Sequence, residues 1–111
     1  MHTWLPKILL TGVLAVAAVA AHAASMPQFR LVLKDQRFQP ATLKVPAKTK
    51  FKLLVTNDNT VPSEFESTDF NREKIVLPNS TITVFIGPLA KGTYKFYDDF
   101  HQSTKGTLVA E

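Results

Sequence analysis

The sequence predicts an all-β Greek-key β-sandwich of seven or eight strands. Three observations predict it: short runs of alternating apolar and polar residues, a spacing between them of about ten residues, and Gly, Pro and Asn at the breaks. No segment beyond the first two dozen residues carries a helical period, and no internal repeat, low-complexity tract or linker divides the chain.

The 111 residues allow one domain. Lys7 precedes an apolar run from Ile8 to Ala21, and Ala21-His22-Ala23 supplies a small-x-small cleavage pattern. Residues 1–23 therefore read as a secretory signal peptide, and residues 24–111 as the folded domain. The apolar run is too short for the roughly 20 residues of a bilayer span. The expected product is periplasmic and does not span the membrane once the signal is removed.

The strands follow in order. Phe29, Leu31 and Leu33 alternate with Arg30, Val32 and Lys34. Phe38, Leu43 and Val45 continue the pattern, with Pro40 and Pro46 confining it to an edge or to strand ends. Phe51, Leu53 and Val55 form the next run, closed by the turn residues Asn57-Asp58-Asn59. On a strand, Glu64 and Glu66 share one face and Phe65 points the other way, into the core. Ile75–Leu77 is a short run ended by Pro78-Asn79, and Ile82, Val84 and Ile86 alternate with Thr81, Thr83 and Phe85. Tyr94, Phe96 and Phe100 follow Lys91-Gly92, and Gly106 opens a last strand through Leu108 to Ala110.

Charge and cysteine content exclude several function classes. Of 13 Lys and Arg, Lys7 falls in the leader, which leaves 12 against 9 acids, a mild and scattered excess. Lys48, Lys50 and Lys52 alternate as a solvated strand face would, and no basic stripe suggests nucleic acid. With no cysteine, the domain has neither a disulfide nor a thiolate ligand. One histidine with an acid three residues away supplies no positioned nucleophile, which argues against a hydrolase.

Polar candidates gather in two places. The first is Ser63-Glu64-Phe65-Glu66-Ser67 with Asp69 and Arg72-Glu73-Lys74; the second is Tyr97-Asp98-Asp99-Phe100-His101. Taken singly, each acid reads as a solubilising surface charge, some paired with Arg72, Lys74 or Lys95. Asp98, Asp99 and His101 fall within four residues at a strand-to-loop transition, where adjacent carboxylates repel and a cation relieves the cost.

Phe38-Gln39-Pro40, Leu43-Lys44-Val45-Pro46-Ala47 and the strand ending at Asn57 resemble the first half of the cupredoxin family. Pro88-Leu89-Ala90-Lys91-Gly92-Thr93-Tyr94-Lys95-Phe96, then Asp98-x-x-His101 and Gly106, resemble its second half. By this resemblance the family's early histidine is replaced by Ser63 and its cysteine by Asp98. Its second histidine survives as His101, and its methionine falls near Thr104. A type 1 blue-copper centre needs two histidines and a thiolate, so the resemblance implies none here. It implies instead an iron or copper site of Asp98, His101, Glu66, Glu73, Asp99 and Glu64, with Asp98 and His101 as direct ligands. Carboxylates with a single imidazole suit Fe, Mn or Cu(II) better than Cu(I).

Glu64-Phe65-Glu66-Ser67, Arg72-Glu73-Lys74 and Phe96-Tyr97-Asp98-Asp99-Phe100-His101 look most like the EfeO-type stand-alone cupredoxin-like proteins of bacterial iron uptake. That resemblance implies a periplasmic protein that binds iron, or copper serving iron oxidation, beside a ferrous-iron permease. A second reading is a metal-free interaction module docking on an envelope protein. A third, an accessory role in iron oxidation, requires a redox metal with an open position and an electron acceptor.

Overall fold

A computed structural model describes Thr3 and residues 26–111. The leader expected over residues 1–23 lies, Thr3 apart, outside the described residues. Alternation of buried and exposed side chains produces nine strands, and no helix occurs among the described residues. They are β1 (Gln28–Lys34), β2 (Arg37–Gln39), β3 (Thr42–Val45), β4 (Phe51–Asn57), β5 (Ser63–Ser67), β6 (Arg72–Val76), β7 (Ser80–Ile86), β8 (Gly92–Asp98) and β9 (His101–Ala110). Two sheets, ordered β2-β1-β4-β7 and β3-β9-β8-β5-β6, pack face to face. The pairs β1–β4 and β3–β9 are parallel and the others antiparallel.

The ninth strand arises at Pro40. The run from Phe38 to Val45 is two strands, β2 and β3, which lie in different sheets. Each is an edge strand, where a proline at the end removes no ladder hydrogen bond. The three alternating lysines do not share a strand face. Lys48 adopts a left-handed φ of 57° in the β3–β4 turn, and only Lys52 lies on β4. The final strand starts at His101, five residues before Gly106.

Leu31, Leu33, Phe51, Leu53, Val55 and Ile86 from one sheet meet Phe65, Val76, Phe96 and Leu108 from the other. Phe38 stands edge-on to Phe96 at 4.9 Å between centroids, and Phe65 lies 5.5 Å from Phe96. Asn57, fully buried at the end of β4, donates from Nδ2 to the carbonyls of Val61 (2.8 Å) and Val76 (3.0 Å). These bonds fix the loop that leads into β5 against the end of β6, and so set where β5 begins.

Candidate metal centre

The β5 alternation buries Ser63, Phe65 and Ser67 and turns Glu64 and Glu66 to the outer face of the five-stranded sheet. Register then decides their neighbours. Glu66 stands opposite Glu73 on β6 and opposite Tyr97 on β8, while Tyr97 stands opposite Lys105 on β9. Directly opposed residues share a face. One outer row therefore reads Lys105, Tyr97, Glu66, Glu73.

Asp98 and Asp99 part company at the end of β8. Asp98 stands opposite Phe65, whose side chain is in the core, and is itself only 2% exposed. Its Oδ1 accepts the backbone N–H of Glu64 (3.0 Å) and of Phe100 (3.0 Å), and its Oδ2 accepts His101 Nδ1–H (2.9 Å). The next residue leaves the strand, and its N–H donates to the carbonyl of Glu64 at 2.9 Å. The Asp99 carboxylate consequently joins the outer pair: ligand oxygens of Glu64, Glu66 and Asp99 all lie within 4.8 Å of one another. Glu73, directly opposite Glu66 on β6, borders this group.

The charges here are not neutralised by lysine or arginine. Arg72 Nε donates to the Phe85 carbonyl (2.8 Å) and Lys74 Nζ to the Thr83 carbonyl (3.3 Å), both on β7. Among the described residues no ion pair reaches Glu64, Glu66, Glu73 or Asp99. Glu64, 8% exposed, is pushed up from 4.5 to about 7, first by burial, then by its bond to Glu73 and the charges of Glu73, Asp99 and Glu66. Tyr97 is also raised, first by burial, then by the charges of Glu66 and Asp99. Like charges opposed across a ladder destabilise a sheet, and a bound cation reverses that sign.

The six residues expected to share a site thus occupy two places. Glu64, Glu66 and Asp99 converge on the outer face with Glu73 beside them. Asp98 and His101 form a separate pair with Asp98 in the interior, so the backbone of β5 is what Asp98 grips. Ser63, buried at the start of β5, leaves its Oγ without a hydrogen-bond partner. With no cysteine in the chain and the Asp98 carboxylate occupied by three donors, the donor set does not fit a type 1 copper ion. A groove of about 460 Å³ lies on the same outer face beyond Tyr97, bordered by Thr68, Lys95, Lys105 and Thr107. Tyr97 opens the second polar segment, but the sequence assigns it no place among the acids. Its alternation with Phe96 marks it as outward-facing, but its place opposite Glu66 depends on a register no local pattern encodes.

Two packed sheets with a carboxylate cluster at β5, β6 and the β8–β9 turn define a cupredoxin-type sandwich. The chain belongs to the cupredoxin-like domain family, which matches residues 7–110. It is similar to an uncharacterized protein of Rickettsia prowazekii (strain Madrid E), 40% identical over 77 residues; the match covers 69% of this chain but 62% of that one. Among solved structures it is similar to auracyanin A, a blue copper protein of Chloroflexus aurantiacus, with a TM-score of 0.65 and 16% identity over 76% of this chain and 98% of that one. A purple cupredoxin from Nitrosopumilus maritimus matches with a TM-score of 0.57 and 20% identity, over 74% and 98% of the two chains.

Proposed function

We propose that this chain is a periplasmic, cupredoxin-like metal-binding protein of the EfeO type, which takes up iron and passes it to a ferrous-iron permease. The observation that carries the reading is the convergence of Glu64, Glu66 and Asp99 within 4.8 Å, without a neutralising cation. Three carboxylates with Glu73 beside them form a hard, oxygen-only donor set, which suits iron better than Cu(I). Asp98 acts through the backbone: its bonds to the Glu64 and Phe100 N–H groups hold the two segments that carry Glu64 and Asp99. The site is on a sheet face and not in a closed cage, an arrangement that lets a cargo ion leave toward a partner.

The test is calorimetric titration of the chelator-stripped protein with Fe(II) under anaerobic conditions, repeated with Cu(II) and with Glu64→Gln/Glu66→Gln/Asp99→Asn. Submicromolar iron binding that disappears in the triple variant is the expected result. Iron binding that survives the triple variant would move the site elsewhere, and absence of any metal binding would remove the function.

A further inference from the structure

The fold sorts charge between its two outer faces. β1, β2, β4 and β7 carry four basic residues, Arg30, Lys34, Arg37 and Lys52, and no aspartate or glutamate. Each basic residue adjoins a buried one (Leu31, Leu33, Phe38 or Phe51), so all four stand on the outer face of the four-stranded sheet. Register sets Lys34 opposite Arg37, Arg30 opposite Leu54, and Lys52 opposite Phe85. Lys50 adds a fifth positive charge, its Nζ 5.9 Å from the centre of the Phe85 ring, which is 47% exposed. Among the described residues only Lys34 of these five forms an ion pair, with Asp58 in the loop after β4 at 3.8 Å. Glu64, Glu66, Glu73 and Asp99 belong to the other sheet and its β8–β9 turn.

We propose that this basic face docks on an anionic phospholipid bilayer. Like charges opposed on one face repel, and a surface of opposite charge relieves them. The positive charges are spread over three strands, with Val32, Leu54 and Phe85 among them and no acid between. A broad face of flexible cations suits mobile lipid headgroups, whereas the fixed core of a protein–protein interface is depleted in lysine. Phe85 supplies the apolar body that enters the headgroup layer beside Lys50 and Lys52. No residue of the carboxylate cluster takes part, and docking goes beyond the metal reading. The bilayer confines the protein to the plane of a membrane-embedded partner, and the cluster faces away from the like-charged headgroups.

Residues 24–111, which hold all nine strands without the apolar run Ile8–Ala21, are pelleted with vesicles of phosphatidylglycerol and phosphatidylcholine in equal parts. At low salt the protein should pellet with these vesicles and stay in solution with phosphatidylcholine alone. The bound fraction should fall as salt screens the charges. Arg30→Gln/Arg37→Gln/Lys52→Gln should weaken partitioning about fivefold for each charge removed. Lys44→Gln/Lys95→Gln/Lys105→Gln takes the same net charge from the other sheet and should change partitioning less than about twofold. Acylation of lysines on the vesicle-bound native protein, which needs no variant to fold, should spare Lys50 and Lys52 and mark Lys95 and Lys105. Equal binding to neutral vesicles, equal losses in the two triple variants, or no binding at low salt overturns the proposal. Retention on polyglutamate without binding to vesicles also overturns it, and gives the face to an acidic protein. Iron titration reads the opposite face, so failure of either result leaves the other standing.

Discussion

Replacing Asp98 with alanine removes the acceptor for three hydrogen bonds from a side chain that is 2% exposed. Two of the donors are backbone N–H groups, those of Glu64 and Phe100 at 3.0 Å each, which cannot turn to another partner. Bonds to a charged acceptor are worth about 1.5–3 kcal/mol each, and a buried donor left empty costs about 1–3 kcal/mol. Relief of the desolvated carboxylate offsets part of this, so the net loss is about 3–5 kcal/mol. For a domain of this size that is a fall in Tm of roughly 12 °C or more. Asp98→Asn keeps an oxygen for the two backbone donors and weakens mainly the His101 contact, so it should cost about 1–2 kcal/mol. Urea unfolding at pH 7 measures both variants, and an unchanged m-value shows that the shift in midpoint is a change in stability. The reasoning fails if alanine costs less than about 1 kcal/mol, or if asparagine is as harmful as alanine.

The raised Glu64 carboxyl makes stability depend on pH. The folded state holds its proton up to about 7, whereas the unfolded chain releases it near 4.5. Between those values the folded state binds more protons, so unfolding free energy falls as pH rises from 4.5 to about 7 and then levels off. Glu64→Gln should flatten that segment of a denaturation series and leave the protein more stable than the parent above pH 7; a parallel curve would disprove the assignment. Metal binding shows the opposite dependence, because ligands must lose their protons: iron affinity should weaken as pH drops from 8 to 6 in dialysis, and an unchanged affinity would exclude Glu64 as a ligand. Gly106→Ala would drive a Cβ into the fully buried ring of Phe96 and close to the Ala41 carbonyl. The clash should outweigh the gain from reduced chain entropy and cost about 1–3 kcal/mol, read by thermal unfolding.

The strands were legible because a half-buried strand repeats every two residues and β1, β3, β4 and β9 keep that period. The same period correctly placed Glu64 and Glu66 on one face with Phe65 in the core. Two features of the site were not legible. The approach of Asp99 to Glu64 and Glu66 depends on a register shift between Tyr97 and Asp98 and on the strand ending there, where the Asp99 N–H bonds the Glu64 carbonyl. The neighbours of Glu66 on both sides depend on long-range pairing, with β8 some thirty positions further along the chain. Arg72 and Lys74 looked like counter-ions for the acids around them, but each reaches across to a carbonyl of β7, the edge strand of the other sheet.

That last difference separates a metal-site reading from one of surface charge. Solubilising acids are expected to be well exposed and to stand near opposite charges, since nothing selects for crowding them together. Here Glu64 is nearly buried, Glu66 directly opposes Glu73, and the two nearest basic residues in sequence are engaged elsewhere. Elsewhere the core strands turn their apolar residues inward, prolines mark strand ends, and the Thr42–Thr107 and Thr56–Thr81 hydroxyl pairs join neighbouring strands, while Val61, Ile75, Leu77, Phe85 and Phe100 stay exposed. A patch that breaks a local rule without compensation nearby is an expected mark of a functional site. The rule broken here, like charge against like charge on a shared face, is the one that a bound cation repairs.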